Sequence, residues 1–360
     1  MHTDLDDADA LAEHDPGGML GALAKFPTWW DEGLRLGASV EAPTSDRIHH
    51  IVVAGMGGSG ITGDVAAALL APNSSLPITV VKDYTLPAFV DHHTLVLAVS
   101  YSGNTEETLD VVAQAMDRHA PVAAVSSGGR LAAVSKRRAW PLVQVPTDLQ
   151  PRAALPYLSG GALGFLQTLG LETPGPPTAS DLQQAAKDLG SDTATTSNPA
   201  KQWAQSIAGN DPVAYGWGPL GVAALRLKCQ LEENAKIFAR HEILPEANHN
   251  DLVPWGAGAA DETTRLLLLR SGQEPDAVAA RFDFLAKTAR ATDAQVLEHR
   301  TDHGSPAKDL LASILFSDHV SVYAALAAGI DPTPVDVITQ LKKHLESKGR
   351  IKSVEKRLTA

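Results

Sequence analysis

The chain has 360 residues, a length that predicts two domains at about 150 residues each. Hydrophobic residues make up 44% and charged residues 20%, a composition typical of globular proteins and not of disordered ones. The formal net charge of −12 argues against nucleic-acid binding, because a phosphate backbone needs a basic protein surface. Cys229 is the single cysteine, which excludes an intramolecular disulfide and any zinc site built from cysteines.

The N-terminal sequence predicts a soluble, cytoplasmic protein. It reads MHTDLDDADALAEHD, which is acidic and lacks the apolar core of a secretory signal. No run of about 18 uncharged apolar residues is present, so we expect neither a membrane-spanning helix nor a membrane partner.

In the first half of the chain, apolar β-branched runs alternate with helical patterns. Residues 1–45 precede them and are predicted to be a helical segment. The expected strands are the apolar run before Gly55 and residues 78–83, 94–100, 121–127 and 142–146. Helical patterns follow at 62–70 and 105–116. Strands alternating with helices predict a parallel sheet covered by helices on both faces.

The composition changes after residue 171. Residues 172–200 are rich in Pro, Thr and Ser and are predicted to form a connecting segment with one helix. A second α/β pattern follows, with strands expected at 212–218, 265–271 and 295–299, and helices at 220–239, 308–328 and 333–345. Pro334 would occupy the first turn of the last helix. We therefore expect a first domain at 46–171, a second at 201–345 and a charged, fraying tail at 346–360.

A glycine-rich motif, Gly55-Met56-Gly57-Gly58-Ser59-Gly60, joins a predicted strand to a helix. Glycines let the backbone approach a ligand there, and a helix N-terminus offers N–H donors and partial positive charge. The motif lacks the Lys-Ser/Thr of a P-loop, and its spacing is not that of a dinucleotide fingerprint. By itself it fits a phosphate site and a tight turn equally well.

A second junction reads Ser100-Tyr101-Ser102-Gly103-Asn104-Thr105. Its hydroxyls could bind a phosphate, although a simple helix N-cap needs only one of them. Two such junctions in one parallel sheet converge on the same crevice, which favours a phosphorylated small molecule as the ligand. The predicted phosphate-binding residues are Gly57, Gly58, Ser59, Ser100, Ser102 and Thr105.

These two motifs resemble the phosphosugar-binding motifs of sugar isomerase (SIS) domains. Further segments are similar to the bifunctional phosphoglucose/phosphomannose isomerase family: Leu231-Glu232-Glu233-Asn234-Ala235-Lys236, residues 244–251 (LPEANHND), 152–157 (RAALPY), 318–323 (DHVSVY) and 331–334 (DPTP). The matches run from about residue 50 to residue 345. The resemblance implies two SIS-type α/β sandwich domains with parallel sheets flanked by helices.

The resemblance also implies an aldose–ketose isomerase that interconverts glucose 6-phosphate and mannose 6-phosphate with fructose 6-phosphate through a cis-enediol, with no metal or cofactor. This reaction needs a base that moves a proton between C1 and C2, an acid/base for ring opening and a cation beside the enediolate. The family pattern assigns these roles to Glu233, His249 and Arg152, each of which would otherwise be interpreted as a surface residue. Asn248 and Asn250 flank His249 and could fix its tautomer. In related isomerases this histidine comes from the partner subunit, which implies a homodimer.

A lysine on the last predicted helix completes the implied site. Ile338, Leu341 and Leu345 predict a buried stripe with Lys342 beside it, so Lys342 is the candidate for contact with the ring oxygen. Lys343 is the alternative.

The main alternative function is a non-catalytic SIS protein that binds a sugar phosphate and regulates a partner. Such a protein needs only the hydroxyl loops, so the additional presence of Glu233, His249, Arg152 and a helix lysine favours the enzyme. Thr333 is a candidate for the family's small polar residue near the start of the last helix, and the tolerance for mannose or glucose depends on this open assignment.

Overall fold

The structure is a computed structural model that describes residues 3–43 and 47–359. The chain forms two compact units. The first unit comprises residues 28–173 and 335–360, and the second comprises residues 1–27 and 174–334. The predicted boundary between residues 45 and 46 lies outside the described residues.

Each unit contains one parallel sheet. The nine strands in the described residues are β1 (His50–Ala54), β2 (Ile78–Val81), β3 (Thr94–Val99), β4 (Val122–Ser126), β5 (Leu142–Gln144), β6 (Asp211–Trp217), β7 (Arg240–Leu244), β8 (Thr264–Ser271) and β9 (Gln295–Thr301). The first sheet has the order β2-β1-β3-β4-β5 and the second the order β7-β6-β8-β9. All neighbouring strands are parallel. The predicted fold class is confirmed.

Helices connect the strands and cover the sheets. The α-helices in the described residues are α1 (Ala8–His14), α2 (Met19–Ala24), α3 (Phe26–Ala38), α4 (Gly58–Leu70), α5 (Glu106–Asp117), α6 (Gly129–Arg138), α7 (Leu155–Gln167), α8 (Ala179–Asp188), α9 (Pro199–Ile207), α10 (Pro219–Gln230), α11 (Leu252–Gly256), α12 (Asp276–Ala289), α13 (Pro306–Ala327), α14 (Asp336–Ser347) and α15 (Arg350–Thr359).

Helix α13 is the core helix of the second unit. By length and composition alone it could cross a membrane, but its apolar window is completely buried inside the protein. It packs against α9 and α10. A helix that is apolar on all sides is typical of such a buried position.

The region after α10 differs from the prediction. The helix expected at 220–239 ends as an α-helix at Gln230 and continues as a π-helical turn, Leu231–Ala235. Lys236 then adopts a left-handed conformation with φ 59°, which ends the helix. The chain next forms β7, an edge strand that the sequence did not predict.

The C-terminal region also differs. The last predicted helix begins at Asp336, so Pro334 precedes it instead of occupying its first turn. The tail predicted to fray forms α15, whose Ile351, Val354 and Leu358 are buried in the core of the first unit. An apolar residue every three or four positions among charges is the pattern of an amphipathic helix, and here its apolar face has a partner.

Candidate active site

The first sheet has a topological switch point between its central strands β1 and β3. With the order β2-β1-β3-β4-β5, the connections leave these two strands in opposite directions. A crevice therefore opens at their carboxyl ends, where ligands of such sheets bind. The glycine motif follows β1 and the hydroxyl motif follows β3, so both loops border this crevice.

The structure brings the two loops into direct contact. The backbone N–H of Tyr101 donates to Ser59 Oγ at 3.2 Å. The hydroxyls of Ser100 and Thr105 are 2.8 Å apart and share a hydrogen bond. Ser59 and Ser100 are buried, whereas Ser102 is exposed to solvent. Four hydroxyl groups thus converge on the ends of two adjacent strands.

Two helix N-termini contribute to this crevice. Gly57 is the N-cap of α4, and its φ of 55° lies in the region that favours glycine. A Cβ added there would meet no described atom within 4 Å, so there is open space above this turn. Thr105 is the N-cap of α5, and within the described residues neither cap makes a side-chain capping hydrogen bond. N–H groups at helix N-termini attract anions.

A third loop, which the sequence analysis missed, supports the hydroxyl motif. It follows β4, where the backbone N–H and the hydroxyl of Ser127 both donate to the Tyr101 carbonyl, at 3.0 and 2.6 Å. Gly103 has a φ of 65°, and a Cβ there would lie 1.9 Å from the carbonyl oxygen of Gly128. The Ser-Ser-Gly-Gly sequence at the end of a predicted strand was the available signal.

Arg152 lies in the same unit as these loops. It precedes α7 and is only 4% exposed, so its interpretation as a surface charge is wrong. The segment that carries it is tied to the hydroxyl motif, because the backbone N–H of Leu149 donates to the Tyr101 hydroxyl at 2.8 Å. Burial raises the pKa of this Tyr101 phenol, so it remains protonated at neutral pH.

Glu233 lies in the π-helical turn of the second unit. The next residue, Asn234, is completely buried and donates from Nδ2 to Ser321 Oγ at 2.9 Å. Lys236 donates from Nζ to the carbonyl oxygens of Glu233 and Pro332, the latter at 3.2 Å. Both sets of contacts fix the chain directly after Glu233. Single π-helical turns occur frequently at functional sites.

Two adjacent glutamates in this turn differ in their surroundings. Glu232 forms an ion pair with Lys228 of α10 at 2.6 Å, with both side chains about one-third exposed. It therefore has the ordinary contact of a helix-surface carboxylate. Glu233 is partly buried to the same degree as Glu232, but it adjoins the anchored Asn234.

His249 is the last residue of a short 3₁₀ turn, Glu246–His249, and is exposed. The flanking asparagines make hydrogen bonds elsewhere. The amide oxygen of Asn248 accepts from Arg281 at 3.3 Å, and that of Asn250 accepts from the backbone N–H of Asp251.

The predicted buried stripe of α14 is wrong. Ile338 is 38% and Leu341 is 55% exposed, and α14 has no buried residue. Lys342 and Lys343 are both exposed. The pattern therefore gives no physical reason to prefer Lys342, which stays a prediction alongside its neighbour.

Comparison with known proteins decides the family. Residues 47–135 match the SIS domain, and residues 196–345 match the bacterial phospho-glucose isomerase C-terminal SIS domain. The chain is 33% identical over 297 residues to a bifunctional phosphoglucose/phosphomannose isomerase of Aquifex aeolicus, covering 82% of this chain and 90% of that protein. The chain belongs to the bifunctional phosphoglucose/phosphomannose isomerase family. The resemblance inferred from the motifs is confirmed.

A second relative agrees with this membership, and a solved structure agrees with the fold. A bifunctional phosphoglucose/phosphomannose isomerase of Thermoplasma acidophilum is 34% identical over 305 residues, covering 82% of this chain and 89% of that protein. The solved C-terminal domain of glucosamine-fructose-6-phosphate aminotransferase from Francisella tularensis is 14% identical with a TM-score of 0.67, covering 88% of this chain and 98% of that one. The structural likeness supports the SIS fold.

The second SIS unit of this isomerase-family chain repeats the glycine turn of the first. Gly218 caps α10 with φ 54° and ψ −131°, nearly the same as the φ 55° and ψ −127° of Gly57. The repeated sequence is Gly216-Trp217-Gly218-Pro219-Leu220-Gly221, which has leucine where the first unit has Ser59. This internal repeat was readable in the sequence but was missed.

The second sheet also differs from the first at the end of β8. The carboxylate of Glu274, only 1% exposed, accepts from the Ser271 N–H and from Arg270, each at 2.9 Å. The Glu274 carboxylate thus accepts hydrogen bonds from donors at the end of β8. An added Cβ at Gly218 also meets no described atom within 4 Å, so the hydroxyl of Ser59, and not open space, distinguishes the first unit as the phosphate site.

Proposed function

We propose that this protein is an aldose–ketose isomerase that interconverts glucose 6-phosphate and mannose 6-phosphate with fructose 6-phosphate. The observation that carries the proposal is the anchored turn at Glu233. Burial of Asn234 and its hydrogen bond to Ser321 fix the backbone from which the Glu233 side chain extends. A protein that only binds sugar phosphates needs the hydroxyl loops and has no use for such a turn.

In the proposed mechanism, the loop hydroxyls and the N-termini of α4 and α5 bind the substrate phosphate. His249 acts as acid/base in ring opening, with Lys342 at the ring oxygen. Glu233 removes the proton from C2 of the open-chain aldose, leaving a cis-enediolate. A proton then passes from O2 to O1, and Glu233 returns its proton to C1 to give the ketose. Arg152 stabilises the negative charge of the enediolate, so the mechanism uses no metal ion. Glucose and mannose 6-phosphates differ at C2 and share this intermediate.

A homodimer is part of the proposal. On the second unit, Phe238 is 93% exposed, and Ile243 and Val253 are also exposed large apolar side chains. They lie in the same stretch of chain as the exposed His249. Exposed apolar surface of this kind supports an interface with a second copy, which would cover it and bring His249 to the partner's site. The cytoplasmic location stays a prediction.

A coupled assay with fructose 6-phosphate tests the proposal. Glu233→Gln keeps nearly the same shape but removes the base, so kcat for both products should fall by about 10²–10⁴-fold. The matched control is Glu232→Gln, which removes the neighbouring carboxylate and its surface ion pair and should retain parental turnover. Equal losses in both variants would contradict the assignment of the base. A parent protein that binds fructose 6-phosphate without turnover would favour the regulatory alternative.

A further inference from the structure

Helix α15 lies beyond residue 345, where the match to the isomerase C-terminal domain ends. It is nevertheless firmly attached to the first unit. Its three apolar residues are buried, and Arg350 and Arg357 both bind the buried carboxylate of Asp110 on α5, the latter at 3.0 Å. This double attachment fixes α15 against the helix whose N-terminus borders the crevice.

A chain of hydrogen bonds runs from α15 to the hydroxyl motif. Glu355 of α15 pairs with Nε of Arg130, at the start of α6. Arg130 then donates to Oδ1 of Asn104 twice, from Nη1 at 3.1 Å and from its backbone N–H at 3.2 Å. The Asn104 amide Nδ2 donates to the Ser102 carbonyl at 3.1 Å, and its backbone N–H donates to Ser102 Oγ at 3.3 Å.

The first turn of α6 donates hydrogen bonds to the loop that carries Ser102 and Asn104. Besides Arg130, the backbone N–H of Leu131 donates to the Gly103 carbonyl at 2.9 Å. These N-terminal donors of α6 therefore hold the loop instead of facing the crevice. Arg130 thus contacts Asn104 directly and is connected to Ser102 through Asn104.

We propose that α15 positions the phosphate-binding loop through the chain Glu355–Arg130–Asn104, and that Glu355 and Arg130 are positioning residues for the substrate phosphate. The inference rests on the proposed function of the hydroxyl loop. The Arg130 and Glu355 side chains are 39% and 38% exposed, and such surface pairs contribute little to folding stability. Their effect on the loop can therefore be measured apart from unfolding.

Positioning and simple electrostatics predict opposite changes in phosphate affinity when the Glu355 carboxylate is removed. Removing the carboxylate of Glu355 lowers the negative charge near the loop, which by itself would strengthen the binding of an anion. Loss of positioning has the opposite effect. We expect Glu355→Gln and Glu355→Ala to weaken inorganic phosphate binding by about threefold to tenfold, a coupling in the lower range for contacting residues.

The experiment measures the Kd of inorganic phosphate by calorimetry, the KM and kcat for fructose 6-phosphate, and the Tm. Lys352→Ala, an exposed substitution on α15, is the control and should bind phosphate like the parent. Ser102→Ala should weaken binding by direct loss of a hydroxyl. In the Glu355 variants KM should rise while kcat and Tm stay close to parental. In a protein that already carries Asn104→Ala, the further substitution Glu355→Ala should weaken phosphate binding very little more.

Unchanged or tighter phosphate binding in the Glu355 variants would overturn the inference, as would a parent that binds no phosphate. Phosphate binding needs no turnover. Absence of isomerase activity would therefore contradict the proposed function, whereas the Kd of inorganic phosphate would still test the positioning role of α15. A fall in Tm with KM unchanged would assign α15 a structural role only.

Discussion

The guanidinium of Arg226 on α10 donates to both carboxylate oxygens of Asp318 on α13, at 2.8 Å each. Both side chains are about 1% exposed. Three residues after Asp318, Ser321 accepts the hydrogen bond from Asn234. Helix α13 thus fixes the chain at two points, one before and one inside the turn that carries Glu233. The 318–323 segment that resembles the isomerase family has a structural role here.

We expect Asp318→Ala to destabilise the protein by about 3–5 kcal/mol, because the buried Arg226 guanidinium would lose the carboxylate that balances its charge. Urea denaturation measures this change. The control is Lys308→Ala, which breaks a more exposed ion pair with Asp181 and should cost less than about 1 kcal/mol. A loss of similar size in both variants would contradict the role of burial.

Ser321→Ala should affect both stability and catalysis. It removes the Ser321 hydroxyl that accepts a hydrogen bond from the buried Asn234 amide, at a cost of about 1–3 kcal/mol. Since Asn234 adjoins Glu233, the carboxylate should shift and kcat should fall by roughly tenfold to a hundredfold. Steady-state kinetics at a temperature where the variant is folded separates the two effects.

Ser317→Ala is the matched control on the same helix. Its hydroxyl is also buried but donates to the Ser313 carbonyl of its own helix, at 2.7 Å. Removing it leaves no donor without a partner, so kcat should be unchanged. If Ser317→Ala reduced kcat as much as Ser321→Ala, the anchoring of the turn would not explain the loss.

The buried His319 of α13 should make folding sensitive to acid. Burial lowers its pKa to about 4, against about 6.5 in an unfolded chain. Between these values the unfolded chain binds a proton that the native protein does not. Stability from this group is therefore complete above pH about 6.5 and declines as the pH falls, by a total on the order of 3 kcal/mol near pH 4.

His319→Phe removes this titration. We expect the loss in unfolding free energy between pH about 7.5 and about 4.5 to be smaller in this variant than in the parent. Its Nδ1 contacts the Leu315 carbonyl within the helix, so no buried donor is left unpaired by the substitution. An equal loss in parent and variant would mean that His319 does not contribute to acid sensitivity.

Most of the fold could be predicted because eight of the nine strands in the described residues were recognised, most of them as apolar runs next to helical patterns. Strand β7, Arg240–Leu244, was missed because it begins with three polar residues and only its last residue, Leu244, is buried. Helix α15 was missed because its charges suggested a solvated tail, and only the structure reveals the partner of its apolar face. A periodic pattern predicts an amphipathic helix but not what covers it, as the exposed α14 also demonstrates.

The candidate site residues of the two units were predictable to different extents. The position of the hydroxyl loops follows from sheet topology, because carboxyl ends of parallel strands meet at one edge. The π-helical turn at Glu233 has no signal in hydrophobic periodicity, since it depends on tertiary contacts of Asn234 and Lys236. The burial of Arg152 likewise could not be read from its sequence neighbours.

The proposed sharing of the active site between subunits has the most direct test. We expect Glu233→Gln and His249→Ala each to be inactive alone. If His249 serves the partner's site, a mixed dimer has one site with both residues intact. After complete exchange of equal amounts, half of the dimers are mixed, and activity should return to about one quarter of the parental value.

Mixing Glu233→Gln with a Glu233→Gln/His249→Ala double variant is the control, because no dimer then contains an intact site. Exchange is followed independently by native mass spectrometry of tagged and untagged copies. Mixed dimers without recovered activity would mean that Glu233 and His249 act from the same chain, and a monomeric parent would contradict the shared site itself.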